Sequence, residues 1–142
     1  MTNNKICKLR EITEDDYRFV YELVDRFLKT DLSVTFLKLP DYEEFVKTYF
    51  VNDYKRYIVT NDNSVRLGFV VITKDDEIGY FLSPEYEGKG IALDAVKQLI
   101  ELNPRERYFA TIHNKNKRSI NLITKLGFYP KGTIYEGIRN KH

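Results

Sequence analysis

Apolar side chains recur at a helical spacing in the first third of the chain. They return every three or four positions over residues 14–29, which predicts an amphipathic helix there. Thr13 and Asp16 form a capping-box pattern at its start. A second helix is predicted to begin at Asp41, with Glu44 at the reciprocal capping position.

The middle of the chain changes to a strand-like pattern. Three segments rich in Val, Ile, Tyr and Phe cover residues 56–60, 66–73 and 77–82, and the turn-forming stretches NDNS and KDD separate them. These segments predict an antiparallel meander. Residues 5–11 are predicted to form an opening strand.

Strands and helices alternate after this meander. Strands are predicted over residues 108–112 and from Phe128 onward, and a helix is predicted before each of them. The apolar faces of the two helices are formed by Ala92, Ala95, Val96 and Leu99 and by Ser119, Ile120, Ile123 and Leu126, the second helix ending at Gly127. The order predicts an α/β (α+β) fold with a mixed, mostly antiparallel central sheet and helices on both faces.

The composition is that of a folded globular protein. Of the 142 residues, 42% are hydrophobic and 31% are charged, so we expect a single domain over residues 1–142. No stretch approaches the roughly 18 apolar residues of a membrane span, and the start lacks the apolar region of a signal peptide, so a cytoplasmic location is expected. The single cysteine, Cys7, excludes an internal disulfide and a cysteine metal site. A histidine triad would depend on His113 alone, and no metal is expected.

Charge is distributed unevenly along the chain. The first 80 residues hold twelve Lys and Arg against fifteen Asp and Glu, whereas the remaining residues hold eleven against six. The second half is therefore expected to face an anionic ligand and the first half a cationic one. Chance imbalance on a solvated surface is the alternative.

The segment SPEYEGKGIALDA, residues 83–95, joins a predicted strand to a predicted helix through Gly88 and Gly90. Two glycines allow a tight turn, and the first N–H groups of a helix have no partner within it, so the segment can hold a phosphate group. A Walker loop is excluded because Ser83 stands in place of its first glycine, and a dinucleotide fingerprint is excluded at Leu93. A turn that merely connects strand to helix remains the alternative.

Two segments resemble motifs of the GNAT-type N-acetyltransferase superfamily. EGKGIA, residues 87–92, resembles its pyrophosphate loop Gln/Arg-x-x-Gly-x-Gly/Ala, although Glu87 departs from that pattern. NKRSINLITKLGF, residues 116–128, resembles its Asn-x-x-Ser segment and the Gly-Phe that follows. The Asn, Ser and Gly-Phe residues of this segment are similar to those of the branch that contains ribosomal-protein N-terminal acetyltransferases and polyamine or aminosugar acetyltransferases.

The resemblance implies acetyl-coenzyme A as co-substrate. Asn116 would bond the pantetheine arm and Ser119 would lie along it, while a helix cap is a second role for Asn116. The cofactor-binding residues implied are Phe81, Leu82, Ser83, Glu87, Gly88, Lys89, Gly90, Ile91, Ala92, Asn116 and Ser119. The basic residues that would meet its phosphates are Lys89, Lys115, Lys117, Arg118 and Lys125. Nucleic acid is the competing partner for this short basic patch, and we do not expect it.

Acetyl transfer requires groups that polarise the thioester, remove a proton and return one. The resemblance places a free backbone N–H on Phe81 or Leu82 and a general base on Glu77, with Asp76 in reserve. A solvated hairpin turn is the alternative for these carboxylates. The family's proton-donating tyrosine falls on Ile123 here. Four other tyrosines are candidates for that role: Tyr135, which we assign, Tyr129, Tyr108 and Tyr80. The alternative is that the thiolate leaves without a dedicated acid.

Fourteen residues follow Phe128, too few for the two full strands that the family places there. The sheet is therefore expected to lack a full final strand, and its edge is expected to be covered by the C-terminal tail or by a second copy in a homodimer.

The family forms its acceptor wall from the N-terminal helices, here residues 20–50. Five carboxylates stand among aromatic side chains there, which favours a cationic amine. They are Asp25, Asp31, Asp41, Glu43 and Glu44. The leading hypothesis is an acetyl-CoA-dependent N-acetyltransferase that transfers directly to a peptide N-terminus, polyamine, lysine or aminosugar. A non-catalytic coenzyme-A-binding module is the alternative, motivated by Ile123 and Glu87.

Overall fold

The computed structural model describes residues 5–34, 38–50 and 53–139. Residues 35–37, which belong to the expected acceptor wall, lie outside the described ranges. The strands are β1 (Lys8–Glu11), β2 (Lys55–Thr60), β3 (Arg66–Ile72) and β4 (Ile78–Leu82). The helices are α1 (Tyr17–Leu28), α2 (Tyr42–Tyr49), α3 (Ile91–Leu102) and α4 (Lys117–Lys125), with short 3-10 turns at Glu14–Asp16 and Pro84–Tyr86.

The four strands form one antiparallel sheet in the order β1-β2-β3-β4. The predicted opening strand and the meander are therefore confirmed. Over the residues that the structure describes, parallel pairing is limited to a bridge between Glu77 and Phe109, so the sheet is less mixed than the sequence indicates.

Helices cover both faces of the sheet, as predicted. Alternate β3 side chains point to opposite faces, with Phe69 on one and Val70 on the other. The α1 and α2 face buries Val20, Leu23 and Phe45 against Ile58, Phe69 and Val71. The α3 and α4 face buries Ile91, Ala95, Val96, Leu99 and Ile123 against Val59, Val70 and Ile72. The site described below lies at the edge of this sheet.

A buried carboxylate fixes the start of α1 to the sheet. Asp16 is fully buried and accepts hydrogen bonds from Arg10 at 2.7 and 2.8 Å and from Arg66 at 2.8 Å. The Thr13 backbone N–H donates to it at 2.8 Å, which confirms the predicted capping box. Burial by itself would raise the pKa of Asp16, but these donors together hold it well below its usual range.

The two predicted strands of the last third of the chain are wrong. Residues 108–112 contribute a single bridge at Phe109, and residues 110–112 are not paired in a strand. Residues 128–139 contain no strand, and most of their side chains are exposed. With no ladder along 108–112 there is no edge for them to extend, and Pro130 lacks the N–H that a ladder needs.

Within the described residues, no helix has both the length and the apolar character to cross a membrane. Over those same ranges, no three His, Cys, Asp or Glu side chains converge as metal ligands.

Candidate active site

The outer edge of β4 is unpaired beyond its first residue. At its start the Ile78 N–H donates to the Phe109 carbonyl at 2.9 Å. Beyond that point no backbone hydrogen bond joins β4 to residues 110–113, all of which the structure describes. We call the space between β4 and residues 110–119 the β4 cleft.

Two backbone donors of β4 are turned toward this cleft. Ser83 donates to Leu67 of β3 at 2.9 Å, and Phe81 is paired with Phe69 in the antiparallel register. Since backbone donors alternate along a strand, the N–H groups of Leu82 and Tyr80 face the other way. Of the two positions expected from the sequence, Leu82 is therefore directed into the cleft and Phe81 is directed toward β3. The register identifies Tyr80 as a second inward donor that the sequence analysis missed.

A close approach between β3 and β4 keeps this edge in place. A methyl group at Gly68 would lie 2.1 Å from the Phe81 carbonyl oxygen and 2.8 Å from a Leu82 methyl carbon. Such distances are far below van der Waals contact, so only glycine fits at this position.

The loop after β4 leads into an uncapped helix start. Gly88 and Gly90 have φ angles of +78° and +80°, in the left-handed region that favours glycine. Gly90 is the N-cap of α3 and provides no side chain to accept from the first-turn N–H groups. Twelve residues of helix follow, so these free donors and the helix dipole favour a negatively charged group at this end. The site fits the diphosphate that the sequence predicts.

Glu87 departs from the family pattern, and its carboxylate is directed away from these donors. Its Oε1 accepts from Arg118 Nη1 of α4 at 3.1 Å. The ion pair joins the loop to the start of α4 across the mouth of the cleft. Lys117 and Arg118 stand in the first turn of α4, where positive charge opposes the helix dipole and an anionic neighbour is favourable.

A second carboxylate of this region is also held away from the anion site. Asp94 of α3 accepts from the backbone N–H of Ile6 at 2.8 Å and of Cys7 at 3.1 Å, and from Gln98 at 3.2 Å. Burial, a hydrogen bond to Asp94 and its charge raise the pKa of Cys7 to about 12. The thiol therefore stays protonated and does not provide an acyl-accepting thiolate.

The far wall of the cleft begins at the cap of α4. Asn116 accepts from the Ser119 N–H at 3.2 Å, so the capping role expected for it is confirmed. The Tyr80 side chain crosses from β4, and its hydroxyl forms a short hydrogen bond with the Ser119 hydroxyl. It also lies 3.5 Å from the Ser119 carbonyl oxygen. Burial raises the pKa of Tyr80, and the bond to Ser119 offsets part of that effect.

Glu77 lies at the vertex of the cleft. It forms the bridge with Phe109, and its carboxylate accepts from the Thr111 hydroxyl at 2.9 Å. The reserve carboxylate, Asp76, has a φ of +72° and binds Arg105 at 2.6 Å, so it supports the hairpin instead. Sequence reasoning missed Thr111, because the contact joins residues 34 positions apart.

The candidate tyrosines occupy different environments. Tyr108 accepts from the Arg105 N–H and donates to the Asn103 carbonyl at 2.6 Å, which commits its hydroxyl to the turn after α3. Tyr135 and Tyr129 are 91% and 73% exposed in the segment after α4. Of the four candidates, Tyr80 is the one whose hydroxyl lies in the β4 cleft, and the assignment of Tyr135 stays a prediction.

The other face of β4 meets α1 through aromatic contacts. The Phe81 ring is 4.7 Å from Phe69 in a stacked pair and 5.5 Å from Phe27 in an edge contact. Phe81 therefore contributes its side chain to the expected acceptor wall, whereas its N–H belongs to the sheet.

Three of the five carboxylates expected at the acceptor wall have an ion-pair or hydrogen-bond partner. Asp25 binds Lys29 at 2.9 Å, Asp31 lies 3.7 Å from Lys115, and Asp41 accepts from the Glu44 N–H as the N-cap of α2. The remaining two, Glu43 and Glu44, are exposed in the first turn of α2.

Comparison with known proteins agrees with this geometry. Residues 7–129 match the acetyltransferase (GNAT) domain family. The spermidine N(1)-acetyltransferase of Escherichia coli K12 is 27% identical over 144 residues, an alignment covering 89% of this chain and 75% of that protein.

Solved structures show the same fold. A spermidine N-acetyltransferase from Vibrio cholerae, in complex with CoA and spermine, has a TM-score of 0.72 at 20% identity, covering 91% of this chain and 84% of that one. A dodecameric structure of spermidine N-acetyltransferase from the same organism has a TM-score of 0.74 at 19% identity, covering 95% and 86%. The family match spans nearly the whole chain, and the cleft, the glycine loop and the uncapped helix agree with it; the chain belongs to the GNAT acetyltransferase family and is an acetyl-CoA-dependent N-acetyltransferase.

Proposed function

We propose that this acetyltransferase acetylates a primary amine of a polyamine, by direct transfer within the β4 cleft. The observation that carries the site assignment is the open edge of β4 beside the uncapped start of α3. The similarity to spermidine N(1)-acetyltransferase along most of the chain supports the choice of acceptor.

Acetyl-CoA is held mainly by main-chain donors. The N–H groups of residues 88–92 bind the diphosphate, with Lys89 close by in sequence. The backbone N–H groups of Leu82 and Tyr80 donate to the pantetheine arm and the thioester carbonyl. Such donors polarise the carbonyl. Ser83 begins the turn that leads from this strand into the loop.

Glu77 removes the proton of the attacking amine, directly or through a water molecule. Deprotonating an amine of pKa about 10.4 at pH 7 costs about 4.6 kcal/mol, so a positioned base has a large effect for this class of acceptor. The Thr111 hydroxyl orients the carboxylate by donating to it at 2.9 Å. The thiol of Cys7 is buried and protonated, which supports transfer without an acyl-enzyme.

The acceptor enters from the side of α1 and α2. The aromatic rings of Phe27 and Phe81 form an apolar wall suited to the methylene chain of a polyamine. Glu43 and Glu44 are free of ion pairs among the described residues and attract its positive charges. The excess of acidic residues in the first half of the chain acts in the same direction.

An acceptor screen tests this proposal. Initial rates of thiol release from acetyl-CoA would be measured with spermidine, spermine, a peptide with a free N-terminus, N-acetyl-lysine amide and glucosamine. We expect kcat/KM for a polyamine to exceed that for the other amines by at least about tenfold. A higher value for the peptide or the aminosugar contradicts the choice of acceptor.

We also propose a homodimer, formed through the segment after α4. Tyr129, Ile134, Tyr135 and Ile138 are exposed there, an arrangement that favours burial against another chain. Light scattering should give twice the mass of one chain, and removal of residues 129–142 should give the mass of one. A full-length monomer at working concentration contradicts the dimer.

A further inference from the structure

Breaking the carbon–sulfur bond of the thioester leaves a pair of electrons on sulfur. Thiols have pKa values near 8.5, so a proton supplied as the bond breaks lowers the barrier at neutral pH. Ile123 is apolar and buried, so α4 supplies no acidic group at that position.

Tyr80 brings a hydroxyl to the same wall from the opposite side. Ser119 and Ile123 are four residues apart and share one face of α4. Tyr80 reaches this face from β4, and its hydroxyl is bonded to the Ser119 hydroxyl. The proton donor can thus lie beside α4 although it belongs to β4.

The backbone of Tyr80 carries one of the two donors at the proposed thioester position, and its side chain leaves the strand toward α4. Its N–H faces the cleft two residues before that of Leu82, so the two donors are about 7 Å apart along the strand. The ring packs against the core of α3 and α4, which limits its motion. The Asn116 cap holds the Ser119 backbone and thereby the hydroxyl that Tyr80 contacts.

We propose that Tyr80 is the general acid of the reaction, donating its hydroxyl proton to the departing sulfur. The assignment rests on the proposed acetyl transfer in the β4 cleft. The ammonium group gives its first proton to Glu77, which passes it to solvent, and the neutral nitrogen then forms the new bond to the carbonyl carbon. As the carbon–sulfur bond breaks, sulfur takes the proton of Tyr80 and Glu77 takes the second proton of the nitrogen. The phenolate regains a proton from solvent through Ser119, and Glu77 releases its proton to solvent.

The hydroxyl is protonated at neutral pH before each turnover, as is usual for a tyrosine with a pKa of about 10. Burial raises the pKa of Tyr80 further, so the assignment rests on the position of the hydroxyl. The Tyr108 hydroxyl donates within the turn after α3 and Tyr135 is 91% exposed, whereas the Tyr80 hydroxyl is bonded to the Ser119 hydroxyl, which can return a proton to it.

Tyr80→Phe removes the hydroxyl proton and retains the ring. Comparing two acetyl donors with different leaving groups distinguishes a catalytic role of the hydroxyl from a packing role. Single-turnover rates would be measured with acetyl-CoA and with the matching selenoester, whose selenolate is a weaker base and departs without a proton. We expect the variant to lose about 100-fold with the thioester and less than about fivefold with the selenoester. Calorimetry should give an unchanged affinity for coenzyme A.

Tyr57→Phe is the matched control, because Tyr57 is a partly buried tyrosine on the same sheet whose hydroxyl accepts from Asn103 at 3.2 Å. It should retain the wild-type rate with both donors. Equal losses of Tyr80→Phe with both donors, a loss under twofold with the thioester, or a loss confined to Tyr135→Phe would overturn the assignment. A wild-type protein that acetylates no amine refutes the proposed function, whereas an active wild type with an unaffected Tyr80→Phe refutes only the role of Tyr80.

Discussion

Glu87 and Arg118 form an ion pair 3.1 Å apart that links the glycine loop to the start of α4. Both side chains remain partly exposed, so the pair contributes little to stability. The pair also affects the proposed diphosphate site, because it directs Arg118, the one arginine in the first turn of α4, toward a carboxylate.

Glu87→Gln is expected to tighten acetyl-CoA binding. The change removes a negative charge near the diphosphate site and releases Arg118 to bind a phosphate oxygen, so the dissociation constant should fall by about threefold at low salt. Isothermal titration would measure it. Glu85→Gln, an exposed glutamate of the same loop, is the control and should change affinity much less. Equal effects of both changes would show that only net charge matters.

Asp16→Asn is expected to destabilise the fold by about 2–3 kcal/mol, because hydrogen bonds from two guanidinium groups lose their charged acceptor. Urea unfolding at pH 7 measures this loss. Asp15→Asn is the control, since the Asp15 side chain is exposed.

The same carboxylate predicts a dependence on pH. The pKa of Asp16 is lower in the folded protein than in the unfolded chain, so the unfolded chain binds the proton more readily. Its contribution is complete above the unfolded value of about 4 and is lost as the pH falls below it. The difference in unfolding free energy between wild type and Asp16→Asn should therefore shrink from pH 7 to pH 3. A constant difference contradicts this assignment.

Gly68→Ala is expected to displace β4 and weaken both stability and acetyl-CoA binding. The new methyl group meets a backbone oxygen at 2.1 Å, and backbone cannot move aside as a side chain can, so a loss of about 3 kcal/mol is expected. Gly79→Ala is the control on the paired strand, because its nearest neighbour is a Val71 methyl group at 3.1 Å. Urea unfolding and calorimetry with coenzyme A should separate the variants, and similar losses in both would refute the close approach.

Glu77→Gln is expected to lower kcat at neutral pH by about 100-fold, with little change in KM for acetyl-CoA. The loss should become smaller as the pH rises toward 10, because the amine then deprotonates without help. Rates with a polyamine at pH 7 to 9.5 measure this trend. Asp75→Asn, in the exposed hairpin two residues away, should leave the rate unchanged. If Glu77→Gln matches wild type across this range, the base lies elsewhere.

Local features of the chain could be predicted from the sequence alone. The capping box at Thr13 and the helix start at Asp41 follow from capping residues and apolar spacing, and the strands of the meander follow from their composition. The turn at Gly88 and Gly90 follows from the conformational freedom of glycine. The caps and the turn depend on interactions within about four residues, and the meander pairs strands that follow one another along the chain, which is why the pattern is sufficient.

Contacts between distant segments depended on the tertiary structure. The strand register decides that the N–H of Leu82 faces the cleft and that of Phe81 faces β3. The partners of Glu87 and Tyr80 lie on α4, more than 30 residues away. The strands expected at 108–112 and after Phe128 did not form, because a strand requires a paired edge on a distant segment as well as a suitable composition. Residue types therefore determined the helices, the meander and the glycine turn at which a diphosphate is proposed to bind, whereas the strand register and the packing of α4 against β4 decided which amides and which hydroxyl line the cleft.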